Sequence, residues 1–505
     1  MNYEIILTTD RTMMSNHHGK EFLGFITTAP PIAMPEALWM FISSPKVKVD
    51  RDGRPREAPY GMRKIEAILQ EHGFNAAIID PDHLKKHLKS MKLLMLSHHD
   101  YFGYGPPSSE WWSLTGKEPL NRRSFEKLMN KPEIKHAKSK GVTIFAGGPA
   151  AWQWLYETKK IFEWGVDTIV DGEAERIIVR LVEKALNNEP LPKYVYVGVD
   201  DTPSTEEIPV IKAASVNGLV EIMRGCPRGC KFCSVTLKPL RYIPLEKILA
   251  EVKTNLSYGI RSTILHSEDV LLYHADGVKP RPDPIIKLHS EVLKLIGEKS
   301  SLAWSHVSLS ALKYAEENYR LITKLMNEYI LNGHRRFLGV EVGIETGSPR
   351  LAREIMRAKS LPYQLEEWPN IVEDAFKIMH ENSIIPAATI ILGMPGETSD
   401  DVIKTIELLD RLRGYRSIIV PMFFVPMGSM KERRWFIKDN LKKEHVDALI
   451  RMYEHTVFWA EDIINNYYLK NPASYPVRFL LKYFIRYVKK QVNKYIKIIE
   501  ENIRQ

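Results

Sequence analysis

The chain has 505 residues, 44% of them hydrophobic and 26% charged, with a formal net charge of +9. That size gives roughly two to four domains of a globular protein and excludes a low-complexity or disordered chain. No run approaches the roughly 18 uncharged apolar residues of a spanning helix, the start Met1 to Asp10 lacks the basic and apolar regions of a signal peptide, and three clustered cysteines argue for a reducing, cytoplasmic compartment over a disulfide framework.

Residues 1–190 alternate strand and helix patterns. Tyr3–Thr9 is a short apolar strand. Phe22 to Ile42 is apolar but broken by Pro30, Pro31 and Pro35, which predicts a packed loop with short helical pieces; Trp39, Met40 and Phe41 there either line an apolar pocket or simply pack. Met62, Ile65 and Leu69 give Ala58–His72 a helical period that ends at Gly73, a natural C-cap. Ala76–Ile79, Leu93–Leu96, Val142–Phe145 and Ile169–Val170 are apolar runs bounded by turn residues, as in a parallel sheet buried on both faces, and Ala174–Leu186 closes the series as a helix. The pattern is α/β, a Rossmann-like doubly wound parallel sheet. Residues 191–214 are Pro-rich and predict a linker.

A second βα series fills residues 215–430. Strands are predicted at Leu219–Met223, Ser262–His266, Ala303–Ser308, Gly339–Ile344, Ala387–Leu392 and Ile418–Phe424, with helices between them such as Leu245–Tyr258 and Asp401–Leu412. Six units are too few for a full eight-fold barrel and predict a partial (β/α)6 barrel of TIM type. Residues 431–505 carry no strand pattern and predict a helical C-terminal region.

Every cysteine of the chain lies in one stretch, Arg224-Gly-Cys-Pro-Arg-Gly-Cys-Lys-Phe-Cys-Ser234. Cys226, Cys230 and Cys233 can hold three irons of a [4Fe-4S] cube and leave the fourth open, since such a cube takes thiolate ligands and this spacing supplies three from one loop. Gly225, Pro227 and Gly229 let backbone wrap a cube, and Arg224, Arg228 and Lys231 offset its negative charge. A loop after a strand and before a helix lies at the C-terminal mouth of a barrel, where active sites sit. The alternatives are a zinc site completed by a distant His and three buried free thiols.

The loop, with Phe232 before the third cysteine, resembles the signature of the radical S-adenosylmethionine (SAM) superfamily. The resemblance spans about residues 215–430. Ser262-Thr-Ile-Leu-His-Ser-Glu-Asp269 falls where that family places the segment meeting the methionyl amino group of SAM, with His266-Ser267 replacing its glycine pair and Glu268 and Asp269 as the polar candidates. Gly343-Ile-Glu-Thr-Gly-Ser348 looks like its fourth-strand motif, which assigns Glu345 to SAM. Gly393-Met-Pro-Gly-Glu-Thr398 looks like its fifth-strand turn, which sets Gly393 and Gly396 beside the adenosine. Read singly, Glu345 is also a strand-end carboxylate and Gly393 to Gly396 a plain tight turn. The resemblance implies that SAM chelates the open iron, that an electron from the cluster cleaves it, and that the resulting 5′-deoxyadenosyl radical takes hydrogen from an unactivated carbon, with an external donor such as ferredoxin or flavodoxin supplying the electron.

The N-terminal domain resembles the cobalamin-binding domain that precedes the barrel in many such enzymes, through Ala58-Pro-Tyr-Gly-Met-Arg-Lys-Ile-Glu66, the His72-Gly-Phe turn, Ala146-Gly-Gly-Pro149 and Val166 to Glu175. Gly147 and Gly148 would admit the nucleotide tail of cobalamin, or else only form a tight turn. The Asp-x-His-x-x-Gly motif of the lower axial ligand is absent: neither His17-His18-Gly19 nor His98-His99-Asp100 has its spacing. With three cysteines in all, the second cluster of methylthio-transferring members and the auxiliary clusters of peptide-maturing members are excluded.

Tyr475 to Ile499 is aromatic, apolar and basic; Arg478, Lys482 and Arg486 recur every four residues and share a helical face. Such a helix suits a membrane interface, RNA phosphates or plain docking. Together these features predict a hydrophobic substrate, with membrane lipid modification by C–C bond or ring formation, as in the archaeal tetraether-lipid ring synthases, favoured among relatives that include hopanoid methylases. A cobalamin-dependent C-methyltransferase acting on lipid, RNA or protein is the alternative, and an iron–sulfur redox sensor or electron carrier the non-enzymatic one.

Overall fold

The computed structural model describes residues 2–20, 22–32, 34–297, 300–331 and 335–468, together with 478, 479, 482, 483, 485, 486, 489 and 490. It divides into two compact units: Met1–Pro31, Pro35–Glu221 and Ile243–Ile264 in the first; Ile32–Met34, Ile222–Tyr242 and Leu265–Gln505 in the second.

The first unit is built on a six-stranded sheet in the order Ala76–Ile78, Ile5–Thr8, Leu93–Ser97, Thr143–Gly147, Thr168–Asp171, Tyr194–Tyr196. Every neighbouring pair is parallel. Its central strands read as continuous apolar runs because both faces are covered: Ile6 and Leu94 enter a core with Phe125 and Trp154, while Ile5 and Leu93 face Met62, Leu69 and Val182. The sheet is doubly wound, and its order reverses between Ile5–Thr8 and Leu93–Ser97, the crevice where ligands settle in such folds.

The 191–214 stretch is not a plain linker. Tyr194–Tyr196 forms the sixth strand, paired with Thr168–Asp171, and Ala214–Ser215 pairs with Glu57–Ala58. Pro190 and Pro192 precede that edge strand without entering it, a place where proline costs no ladder bond. In the proline-broken stretch, Glu36–Ser43 is helical. Trp39 is buried there, its indole N–H donating to the Ile26 carbonyl at 3.1 Å, while Phe41 is exposed, so these aromatics divide between core and surface.

The second unit carries the partial barrel. Leu338–Glu345, Ile384–Leu392 and Ile418–Phe423 form a parallel three-stranded sheet. The segments before it are laced on in order: the Ile222 amide donates to the His266 carbonyl, Ser305 to Leu265, Glu341 to Ser305 and Val307 to Glu341, at 2.9–3.1 Å. With Leu219–Glu221, Ser262–His266 and Ser301–Trp304 the series has the six predicted strands. The third begins and ends earlier than the apolar pattern suggests, because Ser308 is the N-cap of helix Leu309–Tyr319.

Alternation along Leu338–Glu345 fixes what faces inward. Leu338, Val340, Val342 and Ile344 are buried under the helices; Gly339, Glu341 and Gly343 take the other face. In register with them are Ala387 and Thr389, then Ile418 and Val420.

After the barrel the chain is helical, with Lys443–Ile463 the longest element. The 475–499 segment lies outside the described residues apart from the eight positions named above. Among the described residues no helix is long and apolar enough to cross a membrane.

Candidate active site

The cysteine loop follows the short strand Met223–Arg224, which pairs antiparallel with Arg241–Tyr242 and closes the loop at its base. Gly225 adopts φ +81°, and an added Cβ would meet the Pro239 carbonyl at 2.5 Å, so glycine is required there. Gly229 is needed for conformation alone, with φ +63° and open space around it. Backbone bonds fasten the loop. The Lys231 amide donates to the Ile355 carbonyl at 2.8 Å, the Ser429 amide to the Lys231 carbonyl at 2.9 Å, and the Thr236 hydroxyl to the Cys233 carbonyl at 2.9 Å.

Cys230 is buried and Cys226 and Cys233 are half-buried, all as free thiols. Burial pushes the thiol of Cys226 up to about 11, that of Cys233 up to about 12, and raises that of Cys230. Protein alone therefore keeps them neutral, and a metal must displace their protons. Among the described residues no three His, Cys, Asp or Glu stand close enough to hold a single metal ion. The donor set, all thiol and open on one side, fits a [4Fe-4S] cluster.

Two cations sit against the cysteines, Arg228 from within the loop, as its place in the sequence predicts, and Lys359, which sequence spacing does not pair with the loop. Arg228 is buried, donating to the carbonyls of Lys359 (3.0 Å) and Leu361 (3.1 Å) and to the Ser308 hydroxyl (2.7 Å), with Asp269 at 3.6 Å. Lys359 lies 2.5 Å from Glu345. Burial works against its ammonium, but Glu345 and then the Cys230 thiol outweigh it and raise its pKa. Both cations offset the charge that thiolates and a cluster bring.

The predicted SAM residues separate into groups. Glu268 is half-buried and bears electrostatically on Cys233. Its neighbour Asp269 is committed to structure: it is 1% exposed, accepts from the Ser308 hydroxyl and the Leu271 amide, and faces Arg228. Burial raises its pKa, with Arg228 opposing. Glu345 sits where the strand register shifts, at φ +64°, a conformation that costs a non-glycine residue about 1–2 kcal/mol. Its carboxylate takes the Lys359 ion pair and a 3.0 Å bond from the Thr389 hydroxyl. A Cβ at Gly343 would collide with that carboxylate and with the Lys359 ammonium, so this glycine makes room for the pair.

The Gly393 to Gly396 turn has both glycines at positive φ, +78° and +86°. Its outer surface is not open: the Phe436 ring lies on Gly393, where a Cβ would collide with it. The Gly393 amide donates to Glu397 at 2.7 Å, and Glu397 pairs with His445 at 2.9 Å. Gly396 is tied through its carbonyl to Arg350 at 2.7 Å.

In the first unit, Gly148 (φ +87°) has no spare space for a ligand: a Cβ would meet the Ser97 hydroxyl at 2.5 Å and the His98 backbone at 3.0 Å. Gly147 is open to ordinary van der Waals contact only. The two glycines serve a tight turn. The switch-point crevice instead presents histidine. His98 is fully buried, 2.7 Å from Asp10, whose carboxyl it holds below the usual range against the opposing effect of burial. His99 stacks on it with centroids 5.0 Å apart and has its Nδ1 2.8 Å from the Met13 sulfur. The surrounding protein and then His98 lower the His99 imidazole, leaving it a neutral nitrogen donor that solvent still reaches. That chemistry suits a corrin cobalt, which takes imidazole as an axial ligand.

Lys359 was not legible as a site residue, since it is brought to the cysteines from over a hundred positions away; Arg228 and Asp269 were each singled out, but not as a pair, because some forty positions separate them. Glu341 had a signal: it shares the period-two inward face with Gly343.

Residues 220–409 match the model of the Radical SAM superfamily. An uncharacterized protein of Methanopyrus kandleri is 26% identical over 351 residues, covering 59% of this chain and 61% of that one. A tRNA-2-methylthio-N(6)-dimethylallyladenosine synthase of Thermotoga petrophila is 25% identical over 296 residues, 58% of this chain and 61% of its own length. The chain thus spans about three fifths of the curated relatives it matches. Among solved structures, the radical SAM methyltransferase TsrM of Kitasatospora setae, with cobalamin and a [4Fe-4S] cluster bound, matches 85% of this chain and 77% of that one at TM-score 0.55 and 13% identity. A second TsrM structure, with tryptophan substrate and a SAM analogue, matches at TM-score 0.53. Residues 220–409 thus match a radical SAM domain, and the fold is similar to that of the TsrM structures.

Proposed function

We propose that the protein is an enzyme that cleaves SAM reductively at Cys226, Cys230 and Cys233 and uses the radical to functionalise an unactivated carbon of a hydrophobic substrate. The observation that carries this is the thiol triad on a backbone-fastened loop, with Arg228 and Lys359 supplying positive charge against it. A bound cluster with one open iron supplies the electron that splits SAM into methionine and a 5′-deoxyadenosyl radical. The chain's own residues do the rest. Glu268, which bears on Cys233, would meet the methionyl ammonium, and Lys359, held by Glu345, would meet the methionyl carboxylate. Arg228, locked by Asp269, keeps the loop from shifting as charge changes.

The favoured substrate is a membrane lipid, modified by C–C bond or ring formation. The apolar inward residues Ile418, Val420 and Ala387 support an apolar chain, and the basic 475–499 segment supports a membrane surface. C-methylation with cobalamin is the second reading, favoured by the histidine at the switch point and by likeness of fold to TsrM. Sulfur insertion lacks the cysteines for a second cluster.

The test is anaerobic incubation of reconstituted protein with SAM and a reductant. Wild type forms 5′-deoxyadenosine and Cys230→Ala forms none. With lipid extract, product mass then separates the two readings: ring closure removes two hydrogens, methylation adds one CH₂. Formation of no 5′-deoxyadenosine by wild type would return the protein to the electron-carrier class.

A further inference from the structure

The inward face of the barrel carries a polar cluster that the SAM-facing groups leave unused. His266 ends one strand, His306 follows the next, and Glu341 lies within the third. A parallel backbone bridge joins His306 to Glu341, and His306 Nε2 lies 2.9 Å from Glu341 Oε2. The His266 and His306 rings meet edge to face with centroids 5.9 Å apart.

These side chains are enclosed yet wet. The side chains of His306 and Glu341 are 32% and 41% exposed, although burial is the largest influence on both Glu341 and His266. A group surrounded by protein and still reached by water lines a cavity. The wall opposite is small and apolar, since Glu341 lies in register with Ala387 and Ala387 with Ile418. His266 Nδ1 is buried and has no hydrogen-bond partner, a cost that a small turn of the ring toward a ligand would remove.

We propose that His266, His306 and Glu341 form a subsite that binds a hydroxyl group of the otherwise apolar substrate and thereby sets which carbon is presented to the radical. The proposal rests on the SAM-cleaving reading above. Its ligand class follows from charge and hydrogen bonding. His306 offsets the effect of burial and keeps Glu341 ionised, so the carboxylate only accepts. Burial lowers His266 to about 4, so its imidazole is neutral and has an open nitrogen. The groups that bear on His266 are His306, Glu268, Glu341 and Arg224, of which His306 is already paired with Glu341. Such a site disfavours phosphate or carboxylate and accepts a neutral O–H donor, with the chain lying on the apolar wall. A site built to bond a hydroxyl also rejects an analogue that lacks it, because its own polar groups are then left unpaired.

The full-length reconstituted protein is incubated with SAM, reductant and either perdeuterated hexadecanol or perdeuterated hexadecane. Deuterium per 5′-deoxyadenosine is read by mass spectrometry, so a variant's overall loss of turnover does not enter. The expected result is transfer from the alcohol about tenfold above the alkane, with that ratio erased in Glu341→Gln, His266→Ala and His306→Ala. Glu341→Gln keeps side-chain volume and decides the matter where a histidine variant fails to fold. Equal transfer from both probes, transfer from neither, or a ratio that survives Glu341→Gln overturns the subsite. Absence of 5′-deoxyadenosine in every wild-type incubation overturns instead the reading on which it rests.

Discussion

Lys359 does two jobs that pull against each other, and substitutions separate them. Its ammonium pairs with Glu345 at 2.5 Å and bears on Cys230 and Cys233. Removing one partner of a buried pair leaves the other charge uncompensated, so Lys359→Met should cost about 3 kcal/mol of stability. Part of that loss should return in the double variant Lys359→Met with Glu345→Gln, because the orphaned charge goes too. The electrostatic role returns in part as well: the single variant loses a positive charge beside the thiols, so the reduction potential of the bound cluster should fall, and it should fall less in the double variant, which also loses the Glu345 charge that bears on Cys230. Denaturant melts and redox titrations of the two proteins check this, and a potential unmoved in both would remove Lys359 from the cluster's surroundings. No sequence pattern announced this residue, because its partners lie 14 and 129 positions away and only the closed barrel brings them together.

At the scale of elements, helix Ser399–Leu412 is fastened at its N-terminus in two separable ways. Thr398 and Asp401 form a reciprocal capping box. Asp401 also receives the Ser348 hydroxyl (2.5 Å) and Arg350 (3.0 Å), which tie the helix to the segment following Glu345. Thr398→Ala should therefore cost about 1 kcal/mol, the usual worth of a cap. Asp401→Ala should cost more, about 2–3 kcal/mol, since it also leaves the buried Ser348 hydroxyl without its acceptor. Thermal melts of the two variants measure the difference, and equal losses would show that Arg350 and Ser348 add nothing. The six barrel strands were legible because apolar runs are local signals, whereas the helix was predicted from Asp401 and the capping box that starts it at Ser399 was missed. Ser262–His266 has the same bounds in sequence and structure. What escaped was decided by partners. Tyr194–Tyr196 is a strand only because Thr168–Asp171 offers it an edge, and Ser301–Trp304 ends early only because Ser308 caps a helix. Glu268 and Asp269 were equivalent in sequence; Arg228 is what commits one of them to structure.

Over the whole molecule, the response to acid should begin in the second unit with histidine. His289 is fully buried; its Nδ1 lies 2.7 Å from the Ile285 carbonyl and its Nε2 accepts the Trp304 indole N–H at 2.7 Å. Both nitrogens are thus committed as one donor and one acceptor, and a second proton would face an N–H. Burial lowers this group to about 4. His455, 6% exposed and 2.7 Å from the Ser417 hydroxyl, is lowered to about 4 for the same reason. Unfolded, each histidine titrates near 6.5, so below that pH the unfolded chain binds protons the native one refuses. Stability from these groups is full above pH 6.5 and drains as pH falls toward 4, by at most about 3 kcal/mol each. Asp10 in the first unit acts later. Its folded pKa is depressed by His98, so its contribution holds above the ordinary carboxylate pKa near 4 and is lost only below it. Hydrogen exchange at pH 7 and pH 5 should therefore show faster opening of Pro282–Ile296 and Lys443–Ile463 at the lower pH. His289→Gln, which cannot take up the proton, should flatten the pH dependence at Pro282–Ile296 while lowering stability at neutral pH. If that variant keeps the wild-type slope, protonation of His289 is not what loosens the barrel.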